Sequence, residues 1–177
     1  ERWRMISKDY YMVWWLGGLA IFAISIMIHA PLAIEAVPGG ILDHQAAANA
    51  ASVDAIQTAW REAGLLGQAQ AAMFSDLVFI LVYSFGALNA GRYFRAKPNR
   101  GLSALGWVAI AAASVFFFTD FTETLLQVFQ LLRLEGSDTL AFIASAMGPA
   151  KVASFLASVG VIVIALIWDR LAKGASA

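Results

Sequence analysis

Residues 116–130, FFFTDFTETLLQVFQ, decide how this chain is read. They lie in an apolar segment long enough to cross a bilayer, yet include Asp120, Glu123, Gln127 and Gln130. Spacings of three and four residues put all four on one helical face. A carboxyl group is costly in hydrocarbon, so that face must look into protein, water or a ligand. Each of the three other apolar segments brings an ionisable residue to a similar depth: His29, Asp76 and Lys151. The pattern predicts an all-α fold, a four-helix transmembrane bundle closed around a polar layer.

Composition agrees with that class. Of 177 residues, 60% are hydrophobic and 14% charged, against roughly 25% charged in a soluble domain. With most of the chain in the spans, residues 1–177 are read as a single transmembrane domain. The formal net charge is zero, which removes a global field for nucleic acid. There is no cysteine, so disulfides, thiolate metal sites and thioether-linked haem are excluded. No motif indicates a cofactor.

The spans are expected at about residues 10–33, 68–93, 102–132 and 140–168. Tyr10, Tyr11, Trp14 and Trp15 suit an interfacial aromatic belt at the start of the first. That run is too long for a signal-peptide core and is read as a transmembrane helix. Gly17 and Gly18 permit close helix contact, and Pro31 predicts a kink or an exit just after His29. In the second span Gly86 and Ala90 form a small-xxx-small pair, and Tyr83 shares a face with Asp76. Residues 35–66 are the one long connection. Within it Pro38-Gly39-Gly40 signals a turn, and Asp43 is a candidate helix cap. Residues 44–63 carry Val53, Ile56 and Trp60 on one face, predicting a short amphipathic helix on the membrane surface or over the bundle. His44 in this segment is expected to be solvated.

Charge fixes the expected orientation. Residues 1–9, the loop 92–100 and the tail hold nine Lys/Arg: Arg2, Arg4, Lys8, Arg92, Arg95, Lys97, Arg100, Arg170 and Lys173. The opposite connections hold only Arg61 and Arg133, with six acidic residues. Positive charge stays on the cytoplasmic side, so both termini are expected inside and residues 35–66 outside. In a bacterial inner membrane the outer side is the periplasm.

The ionisable layer admits three readings. Three carboxyls, one lysine and one imidazole cannot all be charged and unpaired in low dielectric, so Lys151 is expected to pair with one or two carboxylates. On the first reading the network sets helix register. On the second it relays protons or ions, although below the layer only Tyr83, Ser84, Ser114 and Asn89 offer polar groups. On the third it is a metal or catalytic site, with Asp76, Asp120, Glu123 and His29 as candidate ligands for a hard cation. The spacing lacks Glu-x-x-His and His-Glu-x-x-His, which weighs against zinc. Phe116, Phe117, Phe118, Phe121 and Phe129 are read as core or lipid-facing rings.

The stretches Asp76-Leu-Val-Phe-Ile-Leu-Val-Tyr83 and Thr119-Asp-Phe-Thr-Glu123, with the small-residue run into Lys151, resemble a loose group of uncharacterised four-span bacterial integral membrane proteins. The resemblance covers roughly residues 55–168. It implies four-helix topology and a polar layer of Asp76, Asp120, Glu123 and Lys151, and it carries no activity. This chain departs from the group in its longer, alanine-rich connection and in the threonine inside its Asp-x-x-Glu turn.

The expected function is a non-catalytic integral membrane subunit. It would pack in a larger membrane complex or homo-oligomer, or bind a membrane lipid or lipid-like molecule. The layer of His29, Asp76, Tyr83, Asp120, Glu123, Gln127 and Lys151 would set register. A small proton- or ion-coupled protein is the alternative, and a membrane enzyme or metal site the third.

Overall fold

The computed structural model describes residues 7–174, so Arg2 and Arg4 of the leader lie outside the described residues. The described chain is helical, without strands. Helix α1 (Lys8–His29) opens on Ser7, whose hydroxyl accepts from the Tyr10 amide. It closes into a 3-10 turn, Ala30–Leu32. Pro31 has no N–H to continue the helical ladder, which accounts for the exit there. Two short helices follow, α2 (Ile41–Ala46) and α3 (Ala50–Glu62), then the long helices α4 (Leu66–Arg95), α5 (Arg100–Arg133) and α6 (Asp138–Gly174). Helices α1, α4, α5 and α6 are each long and apolar enough to cross a membrane, the mark of an integral membrane protein.

The outer surface supports the same conclusion. Val13, Met27, Phe118, Leu156 and Ile167 are all more than half exposed, facing outward from helices whose inner faces are also apolar. A helix that is apolar all round belongs in a large core or in lipid.

Helix α4 is central: half of its most apolar stretch is buried, against about a quarter for the other three. It packs on α1 and α5, and α6 packs on α5. Small residues set the close approaches. A Cβ on Gly18 would lie 2.5 Å from Tyr83 Cα, and one on Gly86 would overlap the Trp15 backbone. Gly91 and Gly106 do the same for α4 against α5. Where lipid replaces water as the solvent, such approaches gain dispersion contact that bulkier residues would forfeit. Gly17 has open space around it, so of the Gly17-Gly18 pair only Gly18 makes a tight contact.

Two expectations are corrected. The bundle is packed unevenly rather than closed all round: α1 and α6 lack the extended interface that joins α1 to α4, α4 to α5 and α5 to α6, and Phe22 packs against Phe155 between them with centroids 5.4 Å apart. Hydrocarbon gives no hydrophobic drive to close that gap. The amphipathic segment 44–63 is two helices rather than one, broken at residues 47–49. Asn49 is extended, and its side chain accepts from the Ser52 amide, so Asn49 caps α3. Asp43 lies inside α2 and reaches back to accept from the Gly39 amide at 2.7 Å.

Candidate functional site

Two polar staples hold the helices at the end of the bundle that α2 and α3 cover. The first joins α5 to α6. Glu123 is fully buried, and Lys151 Nζ donates to its Oε1 at 2.7 Å. The same ammonium lies 3.5 Å from Asp120 Oδ1, one helical turn away. Gln127 Nε2, a turn further, donates to Glu123 Oε1 at 3.4 Å. Glu123 Oε2, Gln127 Oε1 and the Thr124 hydroxyl are buried without a partner among the described residues. Gln130 belongs to the adjoining turn, where its Oε1 accepts from the Ser137 amide.

The second staple joins α1 to α4. His29 Nε2 lies 3.1 Å from Asp76 Oδ1. The end of α1 is held by further donors to its last carbonyls. Gln68 Nε2 donates to Ile28 O at 2.6 Å, and Trp60 Nε1 to Leu32 O at 3.0 Å. Helix C-termini leave carbonyls without intrahelical donors, and these side chains supply them.

Between the staples lies a cleft of about 450 Å³. His29, Asp76, Asp120 and Lys151 face it together, with Gln45 from α2. Its apolar walls come from α1 (Phe22, Ile26) and α6 (Val152, Leu156), the two helices that leave the bundle open. Ile41 and Leu42 of α2 roof it. A small-molecule site is typically concave, of about 300–1,000 Å³, mostly apolar with a few convergent polar groups. This cleft fits that description.

Below the polar groups the cleft ends on rings. Phe79, Phe116 and Phe155 pack against one another in tilted and edge-on arrangements at centroid distances of 5.3–5.9 Å, and Tyr83 joins them at 5.0–5.6 Å. Tyr83 is fully buried and donates to Ser158 Oγ at 3.0 Å. It therefore sits in the aromatic floor, apart from the ionisable groups.

The cover is fastened through the first half of α3. The Ala50 amide donates to Asp138 Oδ1 at 2.7 Å, and the Gly136 amide donates to Asp54 Oδ1 at 2.6 Å, tying α3 to the α5–α6 turn. His44 is buried, which corrects the expectation of a solvated loop histidine. Its ring packs on Trp60 at 5.4 Å between centroids, and its Nε2 is 3.5 Å from Gln57 Nε2. The break at residues 47–49 folds α2 back over α3, and so puts the imidazole inside. Burial lowers its pKa to about 4, so it is neutral at neutral pH.

The sequence-read residues thus divide into His29–Asp76 and Asp120–Lys151–Glu123–Gln127, with Tyr83 below. Among the described residues no three His, Asp or Glu side chains are grouped to hold a metal ion. Gln45, Ile41 and Leu42, and the pairing of Phe22 with Phe155, were not singled out by the sequence. The apolar Ile41-Leu42 pair just after the Pro38-Gly39-Gly40 turn was the available signal for the cover.

No family model, curated protein or solved structure matches the chain. The site alone carries the functional reading.

Proposed function

We propose that this protein is a non-catalytic integral membrane protein of a bacterial inner membrane that binds a lipid-like amphiphile from the bilayer. The observation that carries this reading is the cleft between α1 and α6, walled by apolar side chains of both helices and ending in four ionisable side chains. An amphiphile's tail matches the apolar walls. Its head reaches the polar groups without crossing the aromatic floor. The staples give the layer a second role in fixing helix register, since Lys151 and His29 each join a flanking helix to a carboxylate of α5 or α4.

The nine-to-two division of Lys and Arg supports both termini in the cytoplasm, with α2 and α3 on the periplasmic side. The cleft then opens in the outer leaflet. The exposed apolar faces of α5 and α6 remain available for a larger complex or for self-association. Proton or ion coupling receives less support, because the packed rings of Phe79, Tyr83, Phe116 and Phe155 lie directly beneath the polar groups.

Photo-crosslinking tests the reading. The protein, in nanodiscs carrying a lipid with a diazirine in its acyl chain, should be labelled preferentially on Ile26, Val152 and Leu156. Labelling spread evenly over the exposed residues of all four long helices would refute a lateral site.

A further inference from the structure

The head group's chemistry can be argued from the balance of charge in the cleft. Counting Asp76, Asp120 and the adjoining Glu123 against Lys151, the cluster has three acids and one permanent base, with His29 as a second base only when protonated. Even then acids exceed bases by one. The lysine is also already engaged, on Glu123 at 2.7 Å and on Asp120 at 3.5 Å. Among the described residues no arginine faces the cleft. A phosphate or carboxylate head would therefore meet a surplus of acidic groups and, among the described residues, no free cation.

The unused hydrogen-bonding capacity has the same sign. An ionised carboxylate offers about four acceptor positions on its two oxygens and no donor. The contacts made by Asp76 and Asp120 among the described residues are those of Oδ1 alone, with His29 and Lys151. Their second oxygens have no contact among the described residues, and both side chains line a cleft that is apolar everywhere else except at Gln45, His29 and Lys151. Opposite charge and a donor are what these oxygens lack. In low dielectric the attraction is stronger than it would be in water.

We infer that the cleft takes an aliphatic amine, an amphiphile whose protonated amino head lies against Asp76 and Asp120 while its tail runs over Phe22 and out between Ile26 and Leu156. The inference rests on the lateral-ligand reading above and specifies its head group. Three N–H donors on an ammonium would satisfy both free oxygens and the Gln45 carbonyl. The bond type is the charge-assisted one, worth about twice a neutral hydrogen bond.

The test compares three probes with one tail: hexadecylamine, hexadecanol and hexadecanoate. Each is titrated into the full chain in phosphatidylcholine nanodiscs, with empty nanodiscs subtracted. Saturable binding of the amine, one per chain and at least about tenfold tighter than hexadecanoate, is expected for charge-assisted contacts. Asp76→Asn and Asp120→Asn should each weaken the amine about tenfold and leave hexadecanol unchanged. Leu156→Trp, which fills the opening and touches no charge, should weaken amine and alcohol alike, and it serves if either Asn variant fails to fold. Hexadecanoate or hexadecanol binding as tightly as the amine would overturn the head-group inference while leaving the lateral site standing. Saturable binding of none of the three would overturn both.

Discussion

Lys151 Nζ stands 2.7 Å from Glu123 Oε1 across the α5–α6 interface, and Glu123 is fully buried. Neither charge is tolerable there without the other. Removing one partner of a buried ion pair typically costs about 3–5 kcal/mol, because the remaining charge is left without compensation. Lys151→Met should fall in that range, enlarged by the nearby Asp120. The triple change Lys151→Met, Glu123→Gln, Asp120→Asn should recover most of the loss. Thermal unfolding in detergent measures both. A triple variant less stable than the single one would contradict an architectural role for the staple.

Close approach of α1 to α4 depends on Gly86, where any Cβ would overlap the Trp15 backbone. Gly86→Leu should separate the helices and destabilise the protein by about 1–3 kcal/mol, the usual range for overpacking. Gly17→Leu, on a face with open space, should cost far less. Equal losses from the two, measured as melting shifts, would contradict this packing.

The cover should loosen in acid. His44 is held neutral with a pKa near 4, below the ordinary histidine value of about 6.5. The open form therefore binds more protons between those values, and closure weakens as pH falls from about 6.5 toward 4. The full loss is about 3 kcal/mol. Hydrogen-exchange protection of α3, corrected for intrinsic rates, should drop in that window, and His44→Gln should flatten the profile. Protection that stays constant from pH 7 to pH 4.5 would rule this out.

Asn49 and Asp138 fasten the start of α3, one by capping Ser52 and the other by accepting from the Ala50 amide. Each replaced by alanine should cost about 0.5–2 kcal/mol. The loss should be seen as lower exchange protection at residues 50–56, with α4 and α5 unaffected. A loss spread through the long helices would show that α3 is not an independent cover.

The four long helices were legible because their signal is length and continuous apolarity, which a bilayer demands and few other environments reward. The shared face of Asp120, Glu123, Gln127 and Gln130 was legible for the same reason: within one helix, spacing fixes direction. Contacts between distant elements were not. Nothing local in the sequence shows that Phe22 and Phe155 meet where α1 and α6 otherwise pack sparsely. His44 looked like a loop residue because its burial depends on the break at residues 47–49 and on Trp60, sixteen positions later. The Pro38-Gly39-Gly40 turn was visible, but the fold-back of α2 over the cleft came from tertiary contacts.

Orientation can be read directly, since the native chain has no cysteine. Ala55→Cys on α3 and Ala96→Cys between α4 and α5 are both at exposed positions. A membrane-impermeant maleimide added to intact cells should label the first and spare the second. The reverse pattern would invert the proposed topology and place the cleft in the inner leaflet.

The most direct measurement is native mass spectrometry of the protein extracted gently from its own membrane, beside the Leu156→Trp variant. The account predicts one co-purifying amphiphile per chain in the native protein and its loss in the variant, with the fold retained. A bare native chain, or the same adduct in both proteins, would contradict a ligand held in the cleft between α1 and α6.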